Sequence, residues 1–182
     1  MGKLNDIYIQ ESLKVILESI PEYTVTTVVA PMGYGKTTAI TSFLKGIGSS
    51  ALIFRLNMLA DEGSIFWSSF CRSFRNFPKL RQEFVEMGMP KNDAARALFL
   101  EILLDGLESE TRDIYLVLDD FHLVKEEPIR KFLLFLIKQL PEQFRLIIMS
   151  RSEVFEGQEK QELGRRLLEI RKEDLCLKKQ QI

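Results

Sequence analysis

The sequence predicts a three-layer α/β fold, a mainly parallel five-stranded sheet with helices on both faces. Three observations predict it. Short apolar runs rich in β-branched residues alternate with segments of helical period. The runs are apolar throughout rather than at every second residue, as in strands covered on both faces. Polar residues follow the first, third and fourth runs, at the strand ends where open parallel sheets bind ligands.

Each element follows in order. Ile9, Leu13, Ile16, Leu17 and Ile20 recur at helical spacing, so residues 6–20 read as an amphipathic helix that Pro21 ends. Thr24 to Ala30 is a β-branched first strand. A glycine-bearing turn leads into a helix from Thr37 to about Lys45, stopped by Gly46 and Gly48. Ala51 to Leu56 is the second strand, and residues 64–76 and 93–108 read as helices around a loop at Gly88 and Pro90. The 77–92 stretch carries no clear period. Ile114 to Leu118 is the third strand and ends in Asp119-Asp120. Residues 126–140 form a helix with an apolar face of Ile129, Phe132, Leu133, Leu136 and Leu140. Arg145 to Met149 is the fourth strand and runs into Ser150-Arg151. Residues 159–170 read as a helix and Leu175-Cys176-Leu177 as a short fifth strand.

With 182 residues and 46% apolar composition, the chain has material for one domain with a full core. Its 25 basic and 26 acidic side chains give a net charge of −1, which excludes a global attraction to nucleic acid or anionic membrane. Cys71 and Cys176 leave room for one disulfide but read better as two free buried thiols, and with one histidine, His122, nothing has zinc-ligand spacing. Met1 to Asp6 lacks a signal-peptide pattern, and no run reaches the ~18 apolar residues of a membrane span. These features lead us to expect a cytoplasmic protein with no membrane contact.

Ala30-Pro31-Met32-Gly33-Tyr34-Gly35-Lys36-Thr37 has Walker A spacing, with Ala in place of the first Gly. Gly33 and Gly35 let the backbone aim successive N–H groups at a polyphosphate. The following helix presents its positive N-terminus to the same anion. Pro31, Met32, Tyr34 and Thr38 complete the expected cradle, with Thr38 at the α-phosphate. Lys36 is placed for the β- and γ-phosphates and the Thr37 hydroxyl for Mg²⁺. The fold is therefore expected to be that of a P-loop NTPase, with ATP or ADP and Mg²⁺ as ligands.

Asp119-Asp120 after the apolar third strand is a Walker B arrangement. Asp119 is expected to hold Mg²⁺ through its water shell, and Asp120 to orient or polarise an attacking water. Arg151, after the fourth strand, is placed to sense the γ-phosphate or to pair with an acidic neighbour. His122 reads as a structural or supporting polar residue. Phe66, Trp67, Phe70 and Phe74 read as a core stripe.

These segments resemble the MalT-like regulators of the LuxR type. Ala30 to Thr38 resembles their A-P-x-G-Y-G-K-T-T loop, Leu118 to Val124 their D-D-[YF]-H segment, and Met149-Ser150-Arg151 their S-R turn. Leu167-Leu168-Glu169-Ile170 is similar to their L-x-E-[IL] stretch, with a strand after it. The resemblance covers about residues 24 to 180. It implies a signal-transduction ATPase with numerous domains (STAND): ADP-bound at rest, exchanging for ATP on signal, self-associating, and binding DNA through a distant C-terminal domain. Under it Lys36 and Thr37 bind phosphate and magnesium, Asp119 magnesium, Asp120 the hydrolytic water and Arg151 the γ-phosphate. The chain is then one NTPase domain, residues 1–182, of a larger regulator whose lid, winged-helix, sensor and DNA-binding regions lie outside it.

The expected function is an ATP/ADP switch with slow Mg²⁺-dependent hydrolysis. Two other classes stay open: a small-molecule kinase or remodelling ATPase, and a P-loop scaffold for protein interaction that works without nucleotide. No guanine-reading motif appears, which favours ATP over GTP.

Overall fold

The computed structural model describes residues 11–58 and 62–175. Five strands, β1 (Val25–Val29), β2 (Ala51–Asn57), β3 (Asp113–Asp119), β4 (Phe144–Ser150) and β5 (Leu167–Arg171), form one sheet in the order β2-β3-β4-β1-β5. Every neighbouring pair is parallel. The eight helices of the described residues are α1 (Glu11–Glu18), α2 (Lys36–Ile47), α3 (Gly63–Ser73), α4 (Pro78–Met87), α5 (Asp93–Gly106), α6 (Glu127–Gln139), α7 (Gly157–Leu163) and α8 (Lys172–Leu175). None of them is long and apolar enough to cross a membrane.

The alternation of side chains along a strand divides the core in two. Ile114, Leu116 and Leu118 of β3 point into one cluster, with Leu146 and Ile148 of β4 and the apolar faces of α3 to α7. Tyr115 and Val117 point the other way, with Ile147, Met149 and Val28, against α1 and α2. Both faces are covered, which is why the strands carry no polar alternation. The expected fold class stands.

The larger cluster is built on aromatic rings. Phe66, Trp67 and Phe70 of α3, with Phe74 just past its end, form the expected core stripe, packed against Phe84 of α4, Phe99 of α5 and Phe132 of α6. The Trp67 and Phe70 rings stack at 5.2 Å. The indole Nε1–H of Trp67 donates to the Phe84 carbonyl at 2.9 Å, so its one polar group is satisfied inside the core. Cys71 is buried beside them, and burial pushes its thiol up to about 11.

Several boundaries differ from the sequence expectation. Residues 77–92 contain α4, opened by Pro78 at its first position and closed by Gly88 at φ +69°. It buries only Leu80 and Phe84, too few apolar positions to show a period. α1 ends at Glu18, and Pro21 sits inside a 3₁₀ turn, Ile20–Glu22, instead of ending the helix directly. The first residues of the expected 6–20 helix lie outside the described residues. α2 runs through Gly46 and stops at Gly48, whose φ of +61° is open to glycine at little cost.

The largest correction concerns the fifth strand. Residues 159–170 are not one helix. α7 stops at Leu163 against Gly164, at φ +49°, and Leu167–Arg171 then pairs with β1 from Val25 to Val29. Leu167 faces one core cluster and Leu168 and Ile170 the other, the period of a strand. Leu175 ends α8, while Cys176 and Leu177 lie outside the described residues.

Candidate nucleotide-binding site

Parallel strands put all their C-terminal ends on one side of the sheet, and the predicted site residues gather there. The backbone leaves β1 at Ala30, turns through residues 31–35 and enters α2. Ala30 N–H donates to the Ser150 carbonyl at 3.3 Å, tying the root of the loop to β4. Gly33 at φ +87° and Gly35 at φ +78° adopt left-handed conformations that a side chain would strain. Pro31, Met32 and Tyr34 are exposed on the loop, Met32 and Tyr34 among the most exposed large apolar residues described.

Gly35 is the N-cap of α2 and supplies no side-chain cap. The first intrahelical bond runs from Ala39 N–H to the Gly35 carbonyl at 2.8 Å. The N–H groups of Lys36, Thr37 and Thr38 therefore have no helical acceptor, and they lie on exposed or half-exposed residues. Three orphan donors at the positive end of a 12-residue helix make an anion-binding end. The Lys36 Nζ donates to the carbonyls of Ala30 at 2.6 Å and Pro31 at 3.0 Å, which holds the ammonium over the loop. Burial, then the Arg151 cation, lower the Lys36 pKa, while Asp119 and Asp120 oppose the shift.

β3 carries Asp119 to the same edge. The Thr37 hydroxyl donates to Asp119 Oδ2 at 3.2 Å, although β4 separates the parent strands. The Asp120 N–H donates to Asp119 Oδ1 at 2.9 Å, so one carboxylate is oriented by two donors. Asp120 itself has φ +56°, the left-handed region, alone among the described non-glycine residues. Such a conformation is costly and clusters at functional sites. It turns the chain sharply into a 3₁₀ turn, Phe121–Leu123, and leaves the Asp120 carboxylate about half exposed at the edge.

Arg151, at the end of β4, brings its guanidinium to 3.9 Å from Asp120 Oδ1. His122 Nδ1 is 3.8 Å from the same oxygen and forms no hydrogen bond. Burial first, then the Arg151 cation, lower the His122 pKa and favour the neutral ring. The sequence left His122 in a supporting role; the fold brings it, Asp120 and Arg151 into one group.

Thr37 and Asp119 offer hard oxygen donors of the kind Mg²⁺ takes. Two cis oxygens of an octahedron at the usual ~2.1 Å metal distance stand ~3 Å apart, so their spacing suits a shared ion. No group of three or more His, Cys, Asp or Glu side chains could hold a metal among the described residues.

A further set of residues was not visible in the sequence. In the β1–β5 register Arg171 lies beside Val29, one residue before the phosphate loop. Lys160 Nζ donates to Glu153 at 2.7 Å and Glu169 at 2.6 Å, and Arg171 approaches both acids at 3.7 and 3.4 Å. This four-residue network braces the root of the loop. Its signal was lost because its strand resembles a continuation of α7.

No family model matches the chain. The HTH-type transcriptional regulator MalT of Yersinia pestis (strain Pestoides F) is 26% identical, over 82% of this chain. MalT of Yersinia enterocolitica is also 26% identical over the same share. The resemblance to MalT-like regulators is thus shown in sequence, although the chain spans only 17% of those relatives' length. Among solved structures, Cdc6p from Pyrobaculum aerophilum superposes with a TM-score of 0.55 at 16% identity, over 91% of this chain and 48% of that one. A Walker-type ATPase of Pyrococcus abyssi gives 0.52 at 13% identity, over 82% of this chain and 47% of its own. These likenesses show the fold alone: a parallel α/β sheet with helices on both faces.

Proposed function

We propose that this domain binds ATP or ADP with Mg²⁺ and serves as the nucleotide switch of a multidomain regulator. The observation that carries the reading is the meeting of Thr37 and Asp119 beside the uncapped N-terminus of α2. An open helix end alone binds many anions. An oxygen pair suited to magnesium, 3.2 Å across and within the first turn of that helix, selects a metal–polyphosphate.

In this reading the N–H groups at residues 33–38 hold the phosphates, and Lys36 exchanges its carbonyl acceptors for β- and γ-oxygens. Bound Mg²⁺ supplies charge neutralisation between the phosphates. Asp120 is the group that orients water, and Arg151 reads the γ-phosphate. The Arg151–Asp120 approach of 3.9 Å is long for an ion pair, so the guanidinium is weakly held and can be drawn to a phosphate at small cost. The short Asp side chain and the half-exposed site fit slow turnover. Likeness to MalT extends the proposal to a cytoplasmic regulator in which residues 1–182 are one domain, self-association accompanies the ATP state, and DNA is contacted by another region.

Calorimetric titration of ATP and ADP with Mg²⁺ tests this, with Lys36→Ala as control. Micromolar binding that the substitution abolishes is expected, with ADP the tighter. Absence of binding in this chain and in the longer protein would leave the scaffold reading in its place.

A further inference from the structure

The sheet has an open edge, and its chemistry points to a partner outside the nucleotide reading. β2 is an edge strand, paired only with β3 among the described residues. Met58 N–H donates to the Asp119 carbonyl on the β3 side. By strand alternation Leu52, Phe54 and Leu56 also turn their backbone groups toward β3, and Ile53, Arg55 and Asn57 turn theirs outward. A cavity of about 490 Å³ runs beside the strand from Leu52 to Asn57, floored on the other side by Ser69, Arg72 and Ser73 of α3.

Three arginines rim it, and no carboxylate lines it among the described residues. Arg55 lies on the α2 side, where its guanidinium donates to the Thr41 hydroxyl at 3.3 and 3.4 Å. Arg72 and Arg75 lie on the α3 side. None of the three forms an ion pair among the described residues, in contrast to Lys138, Lys160 and Arg112, which all do. We propose that this edge docks an extended acidic peptide segment of a partner protein, which joins the sheet as a sixth strand.

The outward amides and carbonyls of β2 supply the ladder. A strand added there alternates its side chains, one set toward Arg55 and the other toward Arg72 and Arg75, so acidic residues on both faces are matched. Charges that merely guard an edge point across it and fill it. Here the arginines stand on the two rims and leave the space beside the backbone open. A nucleic acid would meet the charges but has no amide row to complete the ladder.

The test uses fluorescence anisotropy with a labelled peptide of about nine residues, built from Glu-Glu-Val-Val repeats so that both faces carry glutamates. Three controls share the assay: the same peptide with lysine for glutamate, the acidic peptide N-methylated throughout, and an oligothymidylate. The acidic peptide is expected to bind, more weakly as salt rises. The lysine and N-methylated forms are expected to lose about tenfold or more. The double variant Arg72→Glu/Arg75→Glu should lose as much while keeping its circular dichroism and its Mg²⁺–nucleotide binding. No binding of the acidic peptide overturns the proposal. Equal binding of the methylated peptide or the oligothymidylate overturns it too, since that reports charge attraction alone. Because the readout needs no nucleotide, its failure leaves the switch reading intact, and the reverse.

Discussion

The Thr37 hydroxyl lies 3.2 Å from Asp119 Oδ2, across 82 residues of sequence and one intervening strand. If the two act as one magnesium site, removing either should remove most of the metal's contribution. Thr37→Ala and Asp119→Asn should each weaken Mg²⁺–nucleotide binding about tenfold, ~1.4 kcal/mol. The double variant should lose little more than either single one, because both delete the same interaction. Calorimetry with Mg²⁺ and with EDTA measures this. Fully additive losses would mean that the pair does not share an ion.

Asp120 holds a left-handed backbone without being glycine. An L side chain there costs on the order of 1–2 kcal/mol, less for Asp than for a β-branched residue. Asp120→Val should therefore destabilise the domain by about 1 kcal/mol or more, and Asp120→Gly should be neutral or slightly stabilising. Urea unfolding distinguishes them, and an equal effect of both would show that the strain is not there.

His122 gives a pH dependence with a definite sign. Burial and Arg151 lower its pKa in the native state, while the unfolded chain takes up a proton near the ordinary value of about 6.5. Between the lowered native pKa and about 6.5 the unfolded state binds more protons, so stability rises with pH there. The contribution is complete above about 6.5, is lost as pH falls below it, and levels off under the native value. His122→Gln should flatten this part of the stability curve. An unchanged slope in the variant would remove His122 as its source.

Cys71 is buried, with its thiol pushed up to about 11. Reaction needs the thiolate. In a Cys176→Ser background, native Cys71 should therefore resist iodoacetamide at neutral pH and react promptly in urea. Rapid labelling of the folded domain would contradict its burial.

Phe84 is fully buried against Trp67, Phe70, Phe74 and Phe99. Phe84→Ala should cost about 3–5 kcal/mol. Because Trp67 donates to the Phe84 carbonyl and is the single tryptophan, its emission should also shift to the red as water enters. A loss under 1 kcal/mol with unchanged emission would show that α4 is not part of this core.

Sequence by itself determined β1, β3 and β4 nearly to the residue, because a doubly covered parallel strand is a continuous apolar run bounded by polar residues. The glycine loop at 30–37 and the acidic pair Asp119-Asp120 were also legible, because residue type and spacing are themselves the pattern. The aromatic stripe of α3 was equally legible, since four large apolar residues at helical spacing leave one face to bury. Other features depend on partners far along the chain. α4 exists because Leu80 and Phe84 enter the core, Phe84 against Phe74 and Phe99, and two buried residues in ten set no clear period of their own. Leu167–Arg171 is a strand because β1 offers an open edge and Gly164 breaks the helix before it. The contact of Thr37 with Asp119, the grouping of His122 with Asp120 and Arg151, and the arginine-rimmed edge of β2 were decided by the tertiary structure alone. Periodicity records which side of an element is buried; strand order and register choose which distant side chains meet.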